Sequence, residues 1–140
     1  MQKVTCAIIV HQNKILVTQR NPDSDHPLKW EFPGGKLNPG ETAEECIFRE
    51  IKEELDIEID IRESMVAVKH DYGIRQIELI PFLCNIKSGE IKLIEHHAYM
   101  WVSSNNLKKI DFTDADKRII RLPENMIILK KYLRENMNDT

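Results

Sequence analysis

The chain has 140 residues, a formal net charge of −3, 31% charged residues and 41% hydrophobic residues. This length suits one compact domain over residues 1–140, and the apolar content excludes a chain that is disordered throughout. The slight acidic excess argues against a nucleic-acid polymer as a partner, because such binders carry a basic surface. No apolar stretch reaches the roughly 20 residues of a membrane-spanning helix and no leader peptide is visible, so no membrane partner is expected.

Three cysteines lie far apart in apolar surroundings, at Cys6, Cys46 and Cys84. Their spacing fits neither a zinc site nor a disulfide framework, so we expect buried, reduced thiols in a cytoplasmic protein. The sequence leaves open whether this protein is a monomer or a homodimer.

The N-terminal part of the chain is predicted to form strands and tight turns. Residues 4–10 and 14–19 have the apolar pattern of a β-hairpin whose turn lies at residues 12–13. A short strand is expected at residues 30–32. The Pro-Gly-Gly sequence at residues 33–35 is typical of a sharp turn.

The clearest helix is predicted over residues 43–55. Thr42 is a good N-cap, and Glu45 three residues later completes a capping box. On a helical wheel the apolar residues of this segment share one face, which we expect to point into the core. The members of this face are Cys46, Ile47, Phe48, Ile51 and Leu55.

The rest of the chain alternates between strand and helix patterns. Strands are predicted over residues 65–70, 76–86, 92–95 and 99–103, and helices over residues 114–120 and 124–136. Pro81 lies inside the second of these strands and indicates a bulge or an edge position. Hairpins with interspersed helices indicate a mixed α/β or α+β domain and exclude a purely parallel sheet.

Three glutamates of the predicted helix lie at or inside its core-facing arc. Glu50 and Glu54 fall within the arc and Glu53 lies at its edge, so three carboxylates share one side of the helix. Such a cluster repels itself and resists desolvation, and Mg²⁺ or Mn²⁺ would relieve both effects. The alternative is a solvated acidic face, but Lys52 and Glu45 already occupy the face that points to solvent.

A glycine-containing loop leads into this helix and carries positive charge. Gly34, Gly35 and Gly40 permit close approach of the backbone, so a loop carbonyl can reach a metal held by the helix. Lys36 in the loop and Arg49 on the helix add positive charge, which together with a divalent metal suits a substrate with several phosphates. The P-loop and dinucleotide-binding patterns are absent, which argues against kinase-like and Rossmann-type sites.

The spacing of these residues resembles the Nudix box of the Nudix hydrolases. Gly35, Glu41 and the segment 49–57, which reads REIKEELDI, occupy the glycine and charged positions of that motif. The one departure is Asp56, where the family usually has glycine. A left-handed conformation is wanted after the helix end and aspartate tolerates it, so we expect a less comfortable helix stop without loss of activity.

The resemblance extends to the MutT-like subgroup and to its relatives that act on cytidine nucleotides. The further matching segments are residues 19–20, 30–36, 95–96, 101–102 and 115–116. This resemblance implies an α+β fold of Nudix type, an α/β/α sandwich around a mixed sheet. It also implies Mg²⁺-dependent hydrolysis of a nucleoside triphosphate to the monophosphate and pyrophosphate.

The resemblance also implies roles for residues of the box. Glu50, Glu53 and Glu54 would hold Mg²⁺, or Mn²⁺ in its place, with the Gly34 carbonyl as a further ligand. Arg49 would orient a glutamate of the helix through a charge-assisted hydrogen bond. The implied catalytic set is therefore Glu50, Glu53 and Arg49.

Two roles concern glutamates of the box and of a later loop. Glu41 is expected to close the box loop onto the helix. The general base is either Glu50 or a glutamate of the later loop, where Glu95 is the nearest candidate. The alternative for Glu95 is an exposed charge at a strand end.

For the nucleotide, Arg20, Phe32 and Asp116 occupy positions similar to base-pocket residues of the subgroup, and Lys36 adds a charge for the phosphates. Phe32 packs either on the base or in the core. Asp116 either contacts an exocyclic amino group, which cytosine and guanine both carry, or caps a helix start. Tyr72 is either a mobile aromatic residue near the ligand or, as we expect, a residue of a hairpin tip. The five histidines are expected at the surface or at strand ends.

The sequence therefore predicts a MutT-type diphosphatase, with oxidised purine nucleotides such as 8-oxo-dGTP as the first substrate hypothesis. The alternative within the same chemistry is a pyrophosphohydrolase of CTP, dCTP or 5-methyl-dCTP. A non-catalytic Nudix-like module that senses a nucleotide is a third hypothesis, which the intact box glutamates disfavour.

Overall fold

The predicted hairpin begins a mixed sheet of eight strands. The computed structural model describes residues 1–136, so residues 137–140 of the predicted domain lie outside the described residues. The strands are β1 (Gln2–His11), β2 (Lys14–Gln19), β3 (Trp30–Glu31), β4 (Gly34–Lys36), β5 (Glu58–Ser64), β6 (Val68–Asp71), β7 (Gln76–Ser88) and β8 (Ala98–Val102). The helices are α1 (Ala43–Leu55), α2 (Asp114–Arg121) and α3 (Pro123–Glu135), and Ser104–Lys109 form a short 3₁₀ helix.

Strand β1 lies at the centre of the sheet. It pairs in parallel with β7 and antiparallel with β2 and β4, and the main strand order is β3-β2-β1-β7-β5. Strand β8 pairs with β2, and β6 pairs with β7. Because parallel and antiparallel pairs occur in one sheet, the predicted α+β class with a mixed sheet is confirmed.

Alternate side chains of β1 enter two separate apolar cores. Ile9 packs in the cluster that contains Ile47 of α1, whereas Ile8 packs in the cluster that contains Ile119 of α2 and Leu129 of α3. Neighbouring residues of a strand point to opposite faces of the sheet. The sheet therefore has α1 on one face and the other two helices on the opposite face, as an α/β/α sandwich requires.

Three local predictions are confirmed. Gln12 and Asn13 have φ angles of 49° and 64°, which a two-residue type I′ hairpin turn requires at both central positions. Helix α1 has the predicted bounds. The three cysteines are buried and free, also as predicted.

Several strand predictions are wrong. Gly34–Lys36 form β4 rather than a turn, because they pair with residues 4–6 of β1. The strand predicted over residues 65–70 begins only at Val68. Strand β5 before it was missed although Ile57, Ile59 and Ile61 alternate with charged residues, which is the pattern of a half-buried strand, so the signal was present in the sequence.

Residues 92–95 do not form the predicted strand. The amides of Lys92 and Ile94 instead donate to the carbonyls of Leu55 and Glu54. These carbonyls lie in the last turn of α1, where helix carbonyls lack partners within the helix. The segment therefore follows the end of the helix, which places the next residue, Glu95, near the box glutamates.

Pro81 lies within the long strand β7 and not at an edge. Its carbonyl accepts a hydrogen bond of 3.0 Å from the Met65 amide, on the side where β5 has ended and β6 has not begun. Proline lacks an N–H, and this break is where β7 needs no ladder donor.

Phe48 of α1 was expected in the core but is 44% exposed. It lies at the limit of the apolar arc, where a small rotation decides between core and solvent. None of the helices in the described part of the chain is both long and apolar enough to cross a membrane.

Candidate active site

Both ends of α1 are fixed by local interactions. The Thr42 hydroxyl accepts from the Glu45 amide at 3.1 Å, and the Glu45 carboxylate accepts from the Thr42 amide at 2.9 Å, which completes the predicted capping box. Asp56 adopts the left-handed conformation with φ 56°, and its amide donates to the Lys52 carbonyl. The aspartate therefore performs the helix stop for which the box usually has glycine.

The three glutamates of α1 differ in exposure as the helical wheel predicts. Glu54 is 5% exposed. The side chains of Glu50 and Glu53 are 16% and 52% exposed. The helix thus carries one buried carboxylate, one half-buried carboxylate and one open to solvent.

Arg49 connects the box loop to the helix glutamates. Its Nε and Nη2 donate to the two carboxylate oxygens of Glu41 at 2.7 and 2.9 Å, a bidentate pair that lowers the Glu41 pKa to about 2. Its Nη1 donates to Glu50 at 2.8 Å and to Glu53 at 3.2 Å, and Nη2 also reaches the Lys36 carbonyl. The predicted hydrogen bond from Arg49 to a helix glutamate is present, and Glu41 closes the loop onto the helix.

The two glycines of β4 make room for this arrangement. A Cβ at Gly35 would lie 2.4 Å from the Glu50 carboxyl carbon, and a Cβ at Gly34 would lie 2.0 Å from the Thr5 carbonyl oxygen of β1. Neither contact is possible for a real side chain. Glycine at both positions therefore lets the strand pass between β1 and the Glu50 carboxylate.

The Glu54 carboxylate is strongly destabilised in its charged form. Burial, followed by the charges of Glu31, Glu50 and Glu95, raises the Glu54 pKa to about 10, against a smaller opposing effect of the Gly34 amide. Its Oε2 is buried and has no hydrogen-bond partner. A carboxyl group in this state is a good ligand for a hard divalent cation, which would replace the proton and satisfy the oxygen.

The carboxylates of Glu50, Glu53 and Glu54 do not surround a common point in this structure. Within residues 1–136, no three side chains of His, Cys, Asp or Glu converge on a single metal position. Arg49 Nη1 binds both Glu50 and Glu53, whereas Glu54 is buried and lines the cleft. The carboxyl groups of this set are chemically suited to a divalent metal.

A cleft of about 310 Å³ opens beside these glutamates. Six of the residues predicted for the site line it: Arg20, Phe32, Gly34, Lys36, Glu54 and Asp116. The other three predicted residues, Arg49, Glu50 and Glu53, lie outside its lining, behind β4 and on the outer side of the helix. The three glutamates of α1, Glu50, Glu53 and Glu54, are called the carboxylate row below. The cleft therefore connects the residues predicted to bind the nucleotide with Glu54, the buried member of this row.

A family model described as NUDIX domain matches residues 4–122 of the chain. The chain belongs to the Nudix hydrolase family. The CTP pyrophosphohydrolase of Escherichia coli K12 is 34% identical over 116 residues, which are 83% of this chain and 86% of that protein. The 8-oxo-dGTP diphosphatase of Buchnera aphidicola subsp. Schizaphis graminum is 30% identical and covers 91% of this chain and 96% of its own length.

Solved structures agree with this assignment. The solution structure of the E. coli ORF135 protein has a TM-score of 0.77 and 32% identity, and the match covers 94% of this chain and 92% of that one. The MutT protein of methicillin-resistant Staphylococcus aureus 252 has a TM-score of 0.71 and 33% identity, with 93% and 96% covered. This chain is therefore a MutT-like Nudix hydrolase, a class that generally needs a divalent metal.

Asp116 of this Nudix hydrolase closes the inner end of the cleft. Its Oδ1 accepts from the Phe32 amide at 3.2 Å, and its other oxygen accepts from the Thr113 hydroxyl. Burial, followed by the negative charge of Glu31, raises the Asp116 pKa to about 7. Thr113, rather than Asp116, is the N-cap of α2.

Phe32 was expected either in the core or on the base, and it lies both in the core and at the wall of the cleft. It is 3% exposed and its ring packs 4.9 Å from that of Phe112, centroid to centroid, yet it also lines the cleft. Core packing thus fixes the ring while leaving part of it toward the ligand space.

Glu31 and His96 are buried polar residues of the site that sequence reasoning did not select. Arg20 Nη1 donates to Glu31 Oε1 at 2.9 Å, and His96 Nε2 lies 2.8 Å from Glu31 Oε2. The His96 side chain is only 5% exposed, so the prediction that all histidines lie at the surface or at strand ends is wrong for this one. The signal was present, because both residues belong to segments that match the subgroup.

Tyr72 lies at the predicted hairpin tip between β6 and β7, but it is half-buried and lines the cleft. Its ring centroid is 4.4 Å from that of His70 and 5.5 Å from that of His26. The hairpin tip therefore contributes an aromatic wall, which the sequence pattern alone did not predict.

Proposed function

We propose that this Nudix hydrolase converts a nucleoside triphosphate and water to the nucleoside monophosphate and pyrophosphate. The observation that carries the proposal is the meeting, in one cleft, of the buried Glu54 carboxyl with Arg20, Lys36 and Asp116. A cation ligand, two positive side chains and a group able to read a base are what a metal-bound nucleotide requires.

Glu50, Glu53 and Glu54 would hold Mg²⁺, or Mn²⁺, with the Gly34 carbonyl as a further ligand. When bound, the metal neutralises phosphate charge and makes a coordinated water more acidic. The unpaired Oε2 of Glu54 and the position of Glu50 against Gly35 support this assignment. Arg49 Nη1 donates to both Glu50 and Glu53 and keeps them close together, and Glu41 keeps Arg49 in place.

The protein side chains supply the remaining steps. Water attacks a phosphorus of the chain, the bond that joins the α- and β-phosphates breaks, and pyrophosphate leaves. Lys36 and Arg20 stabilise the charge that develops on the phosphates. The proton of the attacking water passes to a carboxylate, either Glu50 or Glu95. The two groups lie near each other, because the charge of Glu95 adds to the effect of burial in raising the Glu50 pKa.

We propose an oxidised purine triphosphate such as 8-oxo-dGTP as the first substrate. The second candidate is CTP, dCTP or 5-methyl-dCTP, favoured by the 34% identity to the E. coli CTP pyrophosphohydrolase. Asp116 is compatible with both. With a pKa of about 7 it is able to accept a hydrogen bond from an exocyclic amino group as the carboxylate, or to donate one as the acid.

A substrate panel separates these candidates. Purified protein with Mg²⁺ is given 8-oxo-dGTP, dGTP, dCTP, 5-methyl-dCTP and CTP, and kcat/KM for pyrophosphate release is compared. Preference for 8-oxo-dGTP supports the first candidate and preference for cytidine nucleotides the second. No release from any of the five would favour a module that binds nucleotides without cleaving them.

A further inference from the structure

Two side chains anchor the segment that carries Glu95: the Asn21 amide donates to the Glu95 carbonyl, and the His96 ring meets Glu31. Residues 92–95 and 97 are exposed, whereas the His96 side chain is 5% exposed. The backbone on either side is tied down by hydrogen bonds from the Ile94 amide to the Glu54 carbonyl and from the His97 amide to the Gln19 carbonyl. His96 is thus the inward-pointing residue of an otherwise solvent-facing segment.

The segment brings Glu95 beside the box glutamates. Burial raises the pKa values of Glu50 and Glu54, and the nearby charge of Glu95 adds to the effect on both. A charged Glu50 repels the Glu95 carboxylate, so the hydrogen bonds of the backbone are needed to keep Glu95 there. No strand pairing holds it, since residues 92–97 belong to none of the described strands.

Glu31 is the partner that holds His96, and it has a second role. One of its oxygens meets His96 and the other meets Arg20, which lines the nucleotide cleft. Burial opposes ionisation of Glu31, but the hydrogen bond from His96 and the charge of Arg20 outweigh it and lower the Glu31 pKa. One buried carboxylate thereby fixes a residue on each side of the site.

We propose that His96 is a positioning residue, which through its hydrogen bond to Glu31 holds Glu95 at the carboxylate row of α1. The expected change in kcat rests on the proposed function, whereas the expected change in metal affinity rests on the geometry alone. Glu95 is not one of the proposed metal ligands, but its negative charge beside them favours a bound cation. Removing a group that acts on a metal site from outside its ligands changes metal affinity or activity by about 10- to 100-fold.

The test compares His96→Phe, which keeps a buried ring but removes the hydrogen bond, with His96→Gln, whose amide nitrogen replaces Nε2. His97→Gln is the matched control at an exposed neighbour. We expect His96→Phe to weaken Mn²⁺ binding, followed by electron paramagnetic resonance without nucleotide, and to lower kcat, each by about 10- to 100-fold. KM should change little, His96→Gln should recover most of both losses, and His97→Gln should match the wild type.

A double-variant cycle decides whether His96 acts through Glu95. If it does, His96→Phe with Glu95→Gln is no worse than Glu95→Gln alone in Mn²⁺ affinity and kcat. Losses that simply multiply would overturn the proposal, and so would wild-type Mn²⁺ affinity in His96→Phe. Should His96→Phe not fold, judged by circular dichroism, His96→Asn replaces it, because its shorter side chain stays polar but does not reach Glu31.

Failure of the proposed function gives a different result. A wild-type protein that binds Mn²⁺ but cleaves no nucleotide refutes the proposed function and leaves the cycle on Mn²⁺ affinity to decide the role of His96. A wild-type protein that binds no Mn²⁺ overturns both.

Discussion

Glu53 and Glu54 are neighbours in sequence but have opposite surroundings. Successive residues of a helix point about 100° apart, and here that angle separates solvent from the inner end of a cleft. The Glu53 side chain is 52% exposed, whereas Glu54 is 5% exposed and has an unpaired oxygen. Replacing each glutamate by glutamine should therefore have different consequences for stability at the two positions.

Glu53→Gln should lower kcat with Mg²⁺ by at least about 100-fold and leave the fold intact, because it removes a proposed metal ligand from a solvent-exposed position. Steady-state kinetics and the thermal midpoint measure the two effects. Glu44→Gln, at an exposed position in the first turn of the same helix, is the control and should keep wild-type turnover. Near-normal turnover in Glu53→Gln would show that the metal assignment is wrong.

Glu54→Gln should stabilise the metal-free protein at pH 8. The folded-state pKa of Glu54 is about 10 and the ordinary value is 4.5, so the folded state binds the extra proton between these values. Stability is therefore greatest below about pH 4.5 and falls as pH rises toward 10, by at most about 1.4 kcal/mol per pH unit. Glutamine lacks this dependence.

Urea unfolding of the wild type and Glu54→Gln at pH 5 and pH 8, with EDTA, measures the difference. The stability gain from the substitution should be large at pH 8 and small at pH 5. The same variant should lose the increase in thermal midpoint that Mn²⁺ gives the wild type. A gain of equal size at both pH values would contradict the buried, protonated state of Glu54.

At the scale of elements, α1 is a helix whose sequence specifies both of its ends. The capping box and the left-handed Asp56 are local signals, and the observed bounds agree with the prediction. The hairpin turn at residues 12–13 was predictable for the same reason. Residues 92–95 were not predictable in this way, because they follow the end of α1, where unpaired helix carbonyls are available. Strand β5 was missed although Ile57, Ile59 and Ile61 alternate with charged residues.

Thr42→Ala should lower the free energy of unfolding by about 1 kcal/mol, because the Glu45 amide loses its hydrogen-bond acceptor at the helix start. Thr42→Ser keeps the hydroxyl and should stay close to the wild type. Urea denaturation with constant m-values measures both. Equal stability of all three proteins would mean that the capping box does not stabilise α1.

At the scale of the whole molecule, the site is assembled by contacts between distant segments. The hydrogen bond between Glu31 and His96 spans 65 positions, and that between Phe32 and Asp116 spans 84. Periodicity predicts elements but not such pairs. Arg20, Phe32 and Asp116 were selected through the family resemblance, whereas His96 was taken for a surface residue although it belongs to one of the matching segments.

The net charge of −3 acquires a different meaning in the folded protein. A carboxylate on the inner side of α1 is held in its acid form by burial, so it contributes no negative charge at neutral pH until a cation replaces the proton. An acidic chain is therefore able to accept a polyphosphate at this site. The proposed hydrolysis depends on that chemistry, and the products of the reaction test it most directly.

The deciding measurement is the identity of those products. The wild-type protein is incubated with Mg²⁺ and its best nucleoside triphosphate, and the products are quantified by ³¹P NMR. We predict equal amounts of nucleoside monophosphate and pyrophosphate, and none when EDTA is present. Formation of the nucleoside diphosphate and inorganic phosphate, or undiminished turnover in EDTA, would contradict the account.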